Sequence, residues 1–378
     1  MAVTRENIAE NVANRGVCAE RSNAPGTRHT AGFNKILAVF VAFWTMLGML
    51  GLSACANSTP EPEETPVPTE SEPPEQGPDD YWPLTGLPRE DLTPHPAVAV
   101  KVENTAAARP QSGLEEADIV FEEQVEGGIT RYNAVFHAHT PEEIGPVRSV
   151  RPMDPGLAAP FGGMLVYSGG TPAFESRVPA SGLRGFNEDQ ALGALYRVKF
   201  RAMPHNLYLS IPKLYEKVGK DRTIEPDAPQ IFDFANPDQG ERPTAVSSGV
   251  PATSLAARFP SLVAGYTWTG SRWQRSDGGV ASSARSGTPL QTDNVVVVLT
   301  TIINTGAKDA AGSAVPETVL TGSGTAYVAS GGSIAQVTWS KDSEGSPLVL
   351  TDSAGASVLL NRGTTWIELL PNTNFSFQ

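Results

Sequence analysis

The sequence predicts an α+β protein: a mixed α/β N-terminal domain followed by a β-rich C-terminal domain, sandwich- or barrel-like. Three observations carry this. Between about Tyr81 and Ile224, short strand-like apolar runs alternate with short helical patterns. Beyond Phe232, β-branched and aromatic runs are separated by Gly, Ser and Asp turns. Before Tyr81, an apolar run gives way to a Pro- and Glu-rich stretch that cannot bury enough apolar area to fold.

The chain has 378 residues, room for two domains of ordinary size, and is 40% hydrophobic. Its net charge is −13, and eight acids with no base lie between Glu61 and Asp80. An acidic chain without a basic stripe argues against nucleic acid as a partner. The two cysteines, Cys18 and Cys55, both precede Tyr81. The folded part therefore has no disulfide, thiolate nucleophile or cysteine metal ligand.

Residues 1–54 read as an N-terminal extension and signal peptide. Ile36–Ala54 is uncharged and follows Arg28 and Lys35, a basic flank before an apolar run. Leu52-Ser53-Ala54-Cys55 resembles the bacterial lipobox, which implies lipidation of Cys55. A diacylglyceryl group brings two acyl chains, enough for stable anchoring where one is marginal. The alternative is an uncleaved anchor, because the run approaches the roughly 20 residues that span a bilayer. The segment before Lys35 is long for such a signal, and a mis-assigned start codon is one explanation. Residues 55–80 form an extended, self-repelling tether. The expected location is the extracytoplasmic face of the cell membrane.

In the N-terminal domain, 81–224, Ala97–Val102, Asp118–Glu123 and Thr130–His139 read as strands, with Gly127-Gly128 turning the chain between the last two. Asp154-Pro155 starts a short helix ending near Phe161. Gly163–Tyr167 is a strand, and Phe174–Val178 and Leu207–Val218 are helical. Asn206 stands where it would cap the last of these. Residues 225–262 read as a linker and irregular lead-in. In 263–378 the strands are Gly265–Gln274, Asn294–Ile303, Glu317–Thr321, Thr325–Ser330, Ser333–Trp339, Pro347–Thr351, Ser357–Leu360 and Thr364–Leu370. Trp268, Trp273, Trp339 and Trp366 serve either the core or a sugar-stacking platform.

The chemistry concentrates in Arg109–Arg151, where ionisable residues interrupt apolar strands. Strand alternation puts Asp118 and Glu122 on one face and Glu123 on the other, with Glu126 at the adjoining turn. Arg131, Arg148 and Arg151 from this stretch, with Arg201, His205 and Asn206 from the distant RAMPHNLY run, are the candidate ligand-binding set. Arginine forks grip carboxylate or phosphate bidentately. The competing reading is an internal salt-bridge network. His205 is either a general acid or base or a turn-orienting residue. His137 and His139 share a strand face but lack further metal ligands in any recognisable spacing. Ser210-Ile211-Pro212-Lys213 matches S-x-x-K, but its partner motifs are missing. No cofactor and no metal are expected.

Several pieces, ARPQSGLEEADIVFE, EGGITRYNAVF, IGPVRSVR, YSGGT, RAMPHNLY, GSGTAYVASGGSIAQVTWSK and GASVLLNRGTTWIELLP, resemble the YerB-like bacterial lipoproteins, a two-domain family of unknown function. The likeness runs from about Tyr81 to Pro371. It implies an extracytoplasmic lipoprotein with an α+β N-terminal and a β-rich C-terminal domain, and no known activity. It singles out Glu122, Glu126, Arg131, Arg148 and Arg151. Tyr167-Ser168 departs from it, standing where a His or Ala is expected. The reading is a lipid-anchored envelope protein that binds a cell-wall component or an envelope partner through an Arg-lined anionic-ligand pocket. The alternative is an envelope hydrolase or transferase using Glu122 or Glu126 with His205.

Overall fold

A computed structural model describes residues 80–378 apart from 192, 220, 222, 310, 372 and 373. Its organising element is a mixed sheet of twelve strands drawn from both halves of the chain. The N-terminal half supplies β1 (Val98–Glu103), β2 (Ile119–Gln124), β3 (Thr130–Phe136), β4 (Met164–Val166) and β5 (Arg184–Phe186). They lie in the order β2-β3-β1-β4-β5, antiparallel through β2, β3 and β1, then parallel to β5. The β2–β3 turn passes through Gly127 and Gly128 at φ 68° and 72°, which glycine adopts without steric cost.

The strand Thr365–Pro371 joins the two halves. It runs parallel to β2 on one side and parallel to Asn294–Lys308 on the other. Parallel strands covered on both faces read as near-continuous apolar runs, as TWIELLP does. Beyond Asn294–Lys308 the sheet continues antiparallel through Gly322–Ser330, Ser333–Lys341 and Val349–Thr351.

Side chains alternate between the faces. Val98, Val100, Val120, Val295, Val297 and Trp366 form one core, and Ala99, Ile119, Phe121, Val135, Val296 and Ile367 another. The first face shares its core with a second, antiparallel sheet built on Ser254–Arg258, Val263–Trp268, Trp273–Asp277 and Phe375–Phe377. The second face lies against α1 (Asp154–Ala158), its 3-10 continuation Ala159–Phe161, and the single turns α2 (Pro172–Glu175) and α3 (Arg177–Ala180). The protein is α+β with a strand-rich C-terminal region.

Several local expectations are corrected. Leu207–Val218 is not one helix. Leu207–Leu209 is strand β7, paired with β6 (Leu195–Arg197), and Leu209 also exchanges backbone hydrogen bonds with Ile144. The helix α4 is Ile211–Val218, capped by the Ser210 hydroxyl, which accepts from the Lys213 N–H at 3.4 Å. Asn206 caps no helix, because β7 intervenes; its Oδ1 accepts from Arg197 Nη1 at 2.8 Å. Gly265–Gln274 breaks into two strands at a turn where the Thr269 N–H donates to the Arg272 carbonyl. The lead-in 225–262 contains the strand Ser254–Arg258, whose Leu255 and Ala257 are buried. Trp273, Trp339 and Trp366 are buried too, so no sugar-stacking platform can be built on them. Cys18, Cys55, the signal and the tether up to residue 79 lie outside the described residues.

Candidate functional site

The antiparallel register of β1 and β3 sets Glu103 opposite Arg131. The segment 146–148 prolongs the sheet beside β1: the Glu103 N–H donates to the Pro146 carbonyl at 2.9 Å, and the Arg148 N–H to the Lys101 carbonyl at 2.8 Å. This delivers the Arg148 guanidinium to Glu103. The loop before β7 delivers His205. Glu103 accepts from Arg148 Nη2 at 3.0 Å, His205 Nδ1 at 2.8 Å and Thr105 Oγ1 at 2.7 Å. Burial would raise the Glu103 carboxyl, but these three bonds and the Arg148 charge hold it below its ordinary value. Glu103 is buried, while the Arg148 and His205 side chains are 21% and 26% exposed, so a ligand can reach them.

Arg131 is the unusual member of this corner. Its Nη1 donates to the Ser149 carbonyl at 3.0 Å, yet among the described residues no carboxylate pairs with it and its buried Nε has no partner. Burial, with Arg151 and Arg148 nearby, lowers it to about 10, still charged at neutral pH. Arg151 grips Glu126 bidentately, Nε on Oε1 and Nη2 on Oε2, the latter at 2.8 Å. Glu103 and Glu126 thus each take one guanidinium in ion-pair contact, and Arg131 feels Glu126 and Asp154 only at longer range. Beneath them, Lys101 contacts Glu123 and reaches Asp154 Oδ1 at 2.8 Å, and Asp154 Oδ2 accepts the Arg151 N–H at 2.6 Å. Burial pushes the Lys101 ammonium down to about 8, against the pull of Asp154. This buried network fixes the arginine corner to α1.

On the opposite face of the sheet a second network fills the space between the two sheets. Register places Glu122 directly opposite Glu368. Arg275 bridges them, donating Nη2 to Glu122 Oε2 at 2.5 Å and Nη1 to Glu368 Oε1 at 2.7 Å. Tyr132, Tyr266 and Trp366 surround its guanidinium, with ring centroids 5.7, 5.4 and 5.0 Å from Cζ. Burial and the facing Glu122 push the Glu368 carboxyl well above its ordinary value. Glu122 Oε1 accepts from Asn104 Nδ2 at 2.8 Å and Thr130 Oγ1 at 2.5 Å.

The candidate residues therefore do not meet in one cleft. Arg131, Arg148, Arg151, Glu126 and His205 gather at the corner. Glu122 lies across the sheet from them, and its partner is Arg275, not one of the predicted arginines. Arg201 is tied to the Tyr208 hydroxyl and the Ala107 and Pro110 carbonyls, and Asn206 to Arg197. Glu103, Arg275, Asp277 and Glu368 were missed. The available signal was an acid inside an otherwise apolar strand, in VAVKVE and in TWIELLP.

His137 and His139 do not share a strand face, because β3 ends at Phe136. His137 is buried, 2.5 Å from Asp227 Oδ1 and edge-on to Trp82; Asp227 in turn binds Arg89 at 2.8 Å. This cluster pins the segment leading into β1. Among the described residues no group of three His, Cys, Asp or Glu could hold a metal ion.

Residues 84–224 match the N-terminal domain, and 256–367 the C-terminal domain, of a family described as protein of unknown function DUF3048. The chain belongs to this family. YerB of Bacillus subtilis (strain 168), named a lipoprotein, is 34% identical over 223 residues, 57% of this chain and 66% of YerB. The aligned stretch is just under two thirds of that relative's length. The crystal structure of Bacillus subtilis YerB is similar with a TM-score of 0.67 at 25% identity, over 79% of this chain and 99% of that one. The likeness to the YerB family holds in sequence and in fold.

His137 gives a pH prediction. Burial outweighs the pull of Asp227 and lowers the imidazole from 6.5 to about 4, so the folded state holds it neutral. Between these values the unfolded chain binds more protons, so stability is lost as pH falls from 6.5 toward 4. The destabilisation caused by His137→Gln is therefore largest above pH 6.5 and shrinks as pH drops toward 4. Urea titrations of both proteins across this range measure it.

Proposed function

We propose that the protein is a lipid-anchored binding protein on the extracytoplasmic face of the membrane, and that it holds an anionic envelope ligand at the Arg131–Arg148–His205 corner. The ligand is a carboxylate or phosphate of a cell-wall component, or an acidic group on an envelope partner. One observation carries the reading: Arg131 keeps its charge beside two further arginines with no carboxylate of its own. Arg131 is half-buried, with its Nε closed off and unpartnered, so an anion at its exposed side completes it. The partly exposed Arg148 and His205 stand at the open side of the same corner.

The hydrolase reading has less support. Both oxygens of Glu126 are engaged by Arg151, and Glu122 lies on the far face, bound by Arg275, Asn104 and Thr130. Neither carboxylate is free to exchange a proton with a substrate beside His205.

The anchor reading rests on the Leu52–Cys55 motif and on the name of the Bacillus subtilis relative. Among the described residues no helix is long and apolar enough to cross a membrane.

Two outcomes follow. Retention of the full chain on purified cell-wall material drops at least about tenfold in Arg131→Ala and in Arg148→Ala, because a hydrogen bond to a charged group contributes roughly 1.5–3 kcal/mol. Unchanged retention in both variants rules the corner out as the binding site. In cell fractionation, Cys55→Ser moves the protein from the membrane to the soluble fraction; persistent membrane association favours an uncleaved apolar anchor.

A further inference from the structure

A second site lies away from the arginine corner. The loop that follows β1 meets the end of the strand Trp273–Asp277, and between them is a cleft of ≈ 350 Å³. That is inside the range of roughly 300–1,000 Å³ typical of small-molecule sites. Arg109, Gln111, Asp277 and Ser282 are its polar wall, and Pro110 and the 72%-exposed Val280 its apolar wall.

The two charges in this cleft are held from behind. Arg109 donates Nε to Asn104 Oδ1 and Nη2 to the Asn104 carbonyl, both at 2.9 Å. Asn104 is itself fixed by Glu122 and Thr130. Asp277 accepts from Arg275 Nη2 at 3.0 Å and from Ser282 Oγ at 2.8 Å. Arg109 Nε forms a long ion pair with Asp277 Oδ2 at 3.5 Å, beyond ordinary hydrogen-bond length. Arg109 Nη1 makes no hydrogen bond among the described residues, and the side chain is 26% exposed. A cation and an anion thus sit side by side, immobilised by other partners. The Asp277 carboxylate still has lone pairs to offer.

We propose that this cleft binds an α-amino-acid head group, its carboxylate on Arg109 and its ammonium on Asp277. An α-amino acid carries both charges on one carbon, so both reach neighbouring fixed partners at once. A simple anion or cation satisfies one wall and is repelled by the other, which is how such a site discriminates. The aliphatic part of the ligand lies along Pro110 and Val280. The head group is free, or displayed at the end of a larger molecule.

The test is calorimetry and amide NMR on the full chain in detergent, with norvaline, pentanoate and butylamine as probes. The last two each lack one of norvaline's two charged groups. Norvaline binds at least about tenfold more tightly than either half, one decade in Kd. Val280→Trp fills the cleft from an exposed position without disturbing the core, and it abolishes norvaline binding; Arg109→Gln weakens it about tenfold. Lysine acetylated on its side-chain nitrogen binds more tightly than norvaline where the head group is displayed, and less tightly where it is free. Equal binding of the three probes, no binding of norvaline, or full binding by Val280→Trp overturns the proposal.

Discussion

Arg275 is the residue on which the two sheets depend. Its guanidinium is fully buried between them, and its hydrogen bonds reach the N-terminal half through Glu122 and the C-terminal strand through Glu368. A buried guanidinium is tolerable only if it is paired and its donors are satisfied. The two acids it bridges lie on adjacent parallel strands, so they would repel each other if both were ionised. Burial and the facing Glu122 raise the Glu368 carboxyl well above its ordinary value, which eases that repulsion. Asp277 and Arg109 add a second balanced pair further out. The core between the sheets is therefore polar at its centre.

This arrangement decides which face of β2 is available for function. Glu122 is fixed by Arg275, Asn104 and Thr130, so the strand's first face is closed. Its second face carries Glu123, which meets Lys101, and the turn beyond carries Glu126, which meets Arg151. What is left open is the end of β1 and β3, where Glu103 and Arg131 are cross-strand neighbours and the segment 146–148 and the loop before β7 add Arg148 and His205. The four peptide segments that form this corner are spread along the chain, yet backbone hydrogen bonds position each: β3 and 146–148 on β1, and β7 on the segment 144–147. A site built on strand ends in this way is held more rigidly than one built on free loops.

The fold class was legible because strand alternation is a strong local signal. β1, β2, β3, α1 and most C-terminal strands lie close to where the hydrophobic pattern put them. The pairing of Thr365–Pro371 with β2 was not legible: no local pattern says which distant strand a buried apolar run will join. Leu207–Leu209 was misread because its apolar spacing fits a helix as well as a strand, and only the partners Leu195–Arg197 and Ile144 decide between them. The corner was half legible. Arg131, Arg148, Arg151 and His205 stood out as charges in a polar stretch and a basic run, whereas Glu103, just past the strand read as Ala97–Val102, was not singled out. Alternation put Glu122 on the strand face it shares with Asp118, but its partner Arg275 sits 153 residues away in sequence, beyond any spacing argument.

The central claim is that Arg275 is held chiefly by Glu122, while burial and the facing Glu122 raise the Glu368 carboxyl well above its ordinary value. The most direct measurement compares Glu368→Gln with Glu122→Gln by urea unfolding at neutral pH. Gln closely mimics a protonated carboxyl, so Glu368→Gln should change stability by less than about 1 kcal/mol. Glu122→Gln strips the buried guanidinium of its anion and should cost about 3–5 kcal/mol. Equal losses in the two variants, or a larger loss in Glu368→Gln, would contradict the account.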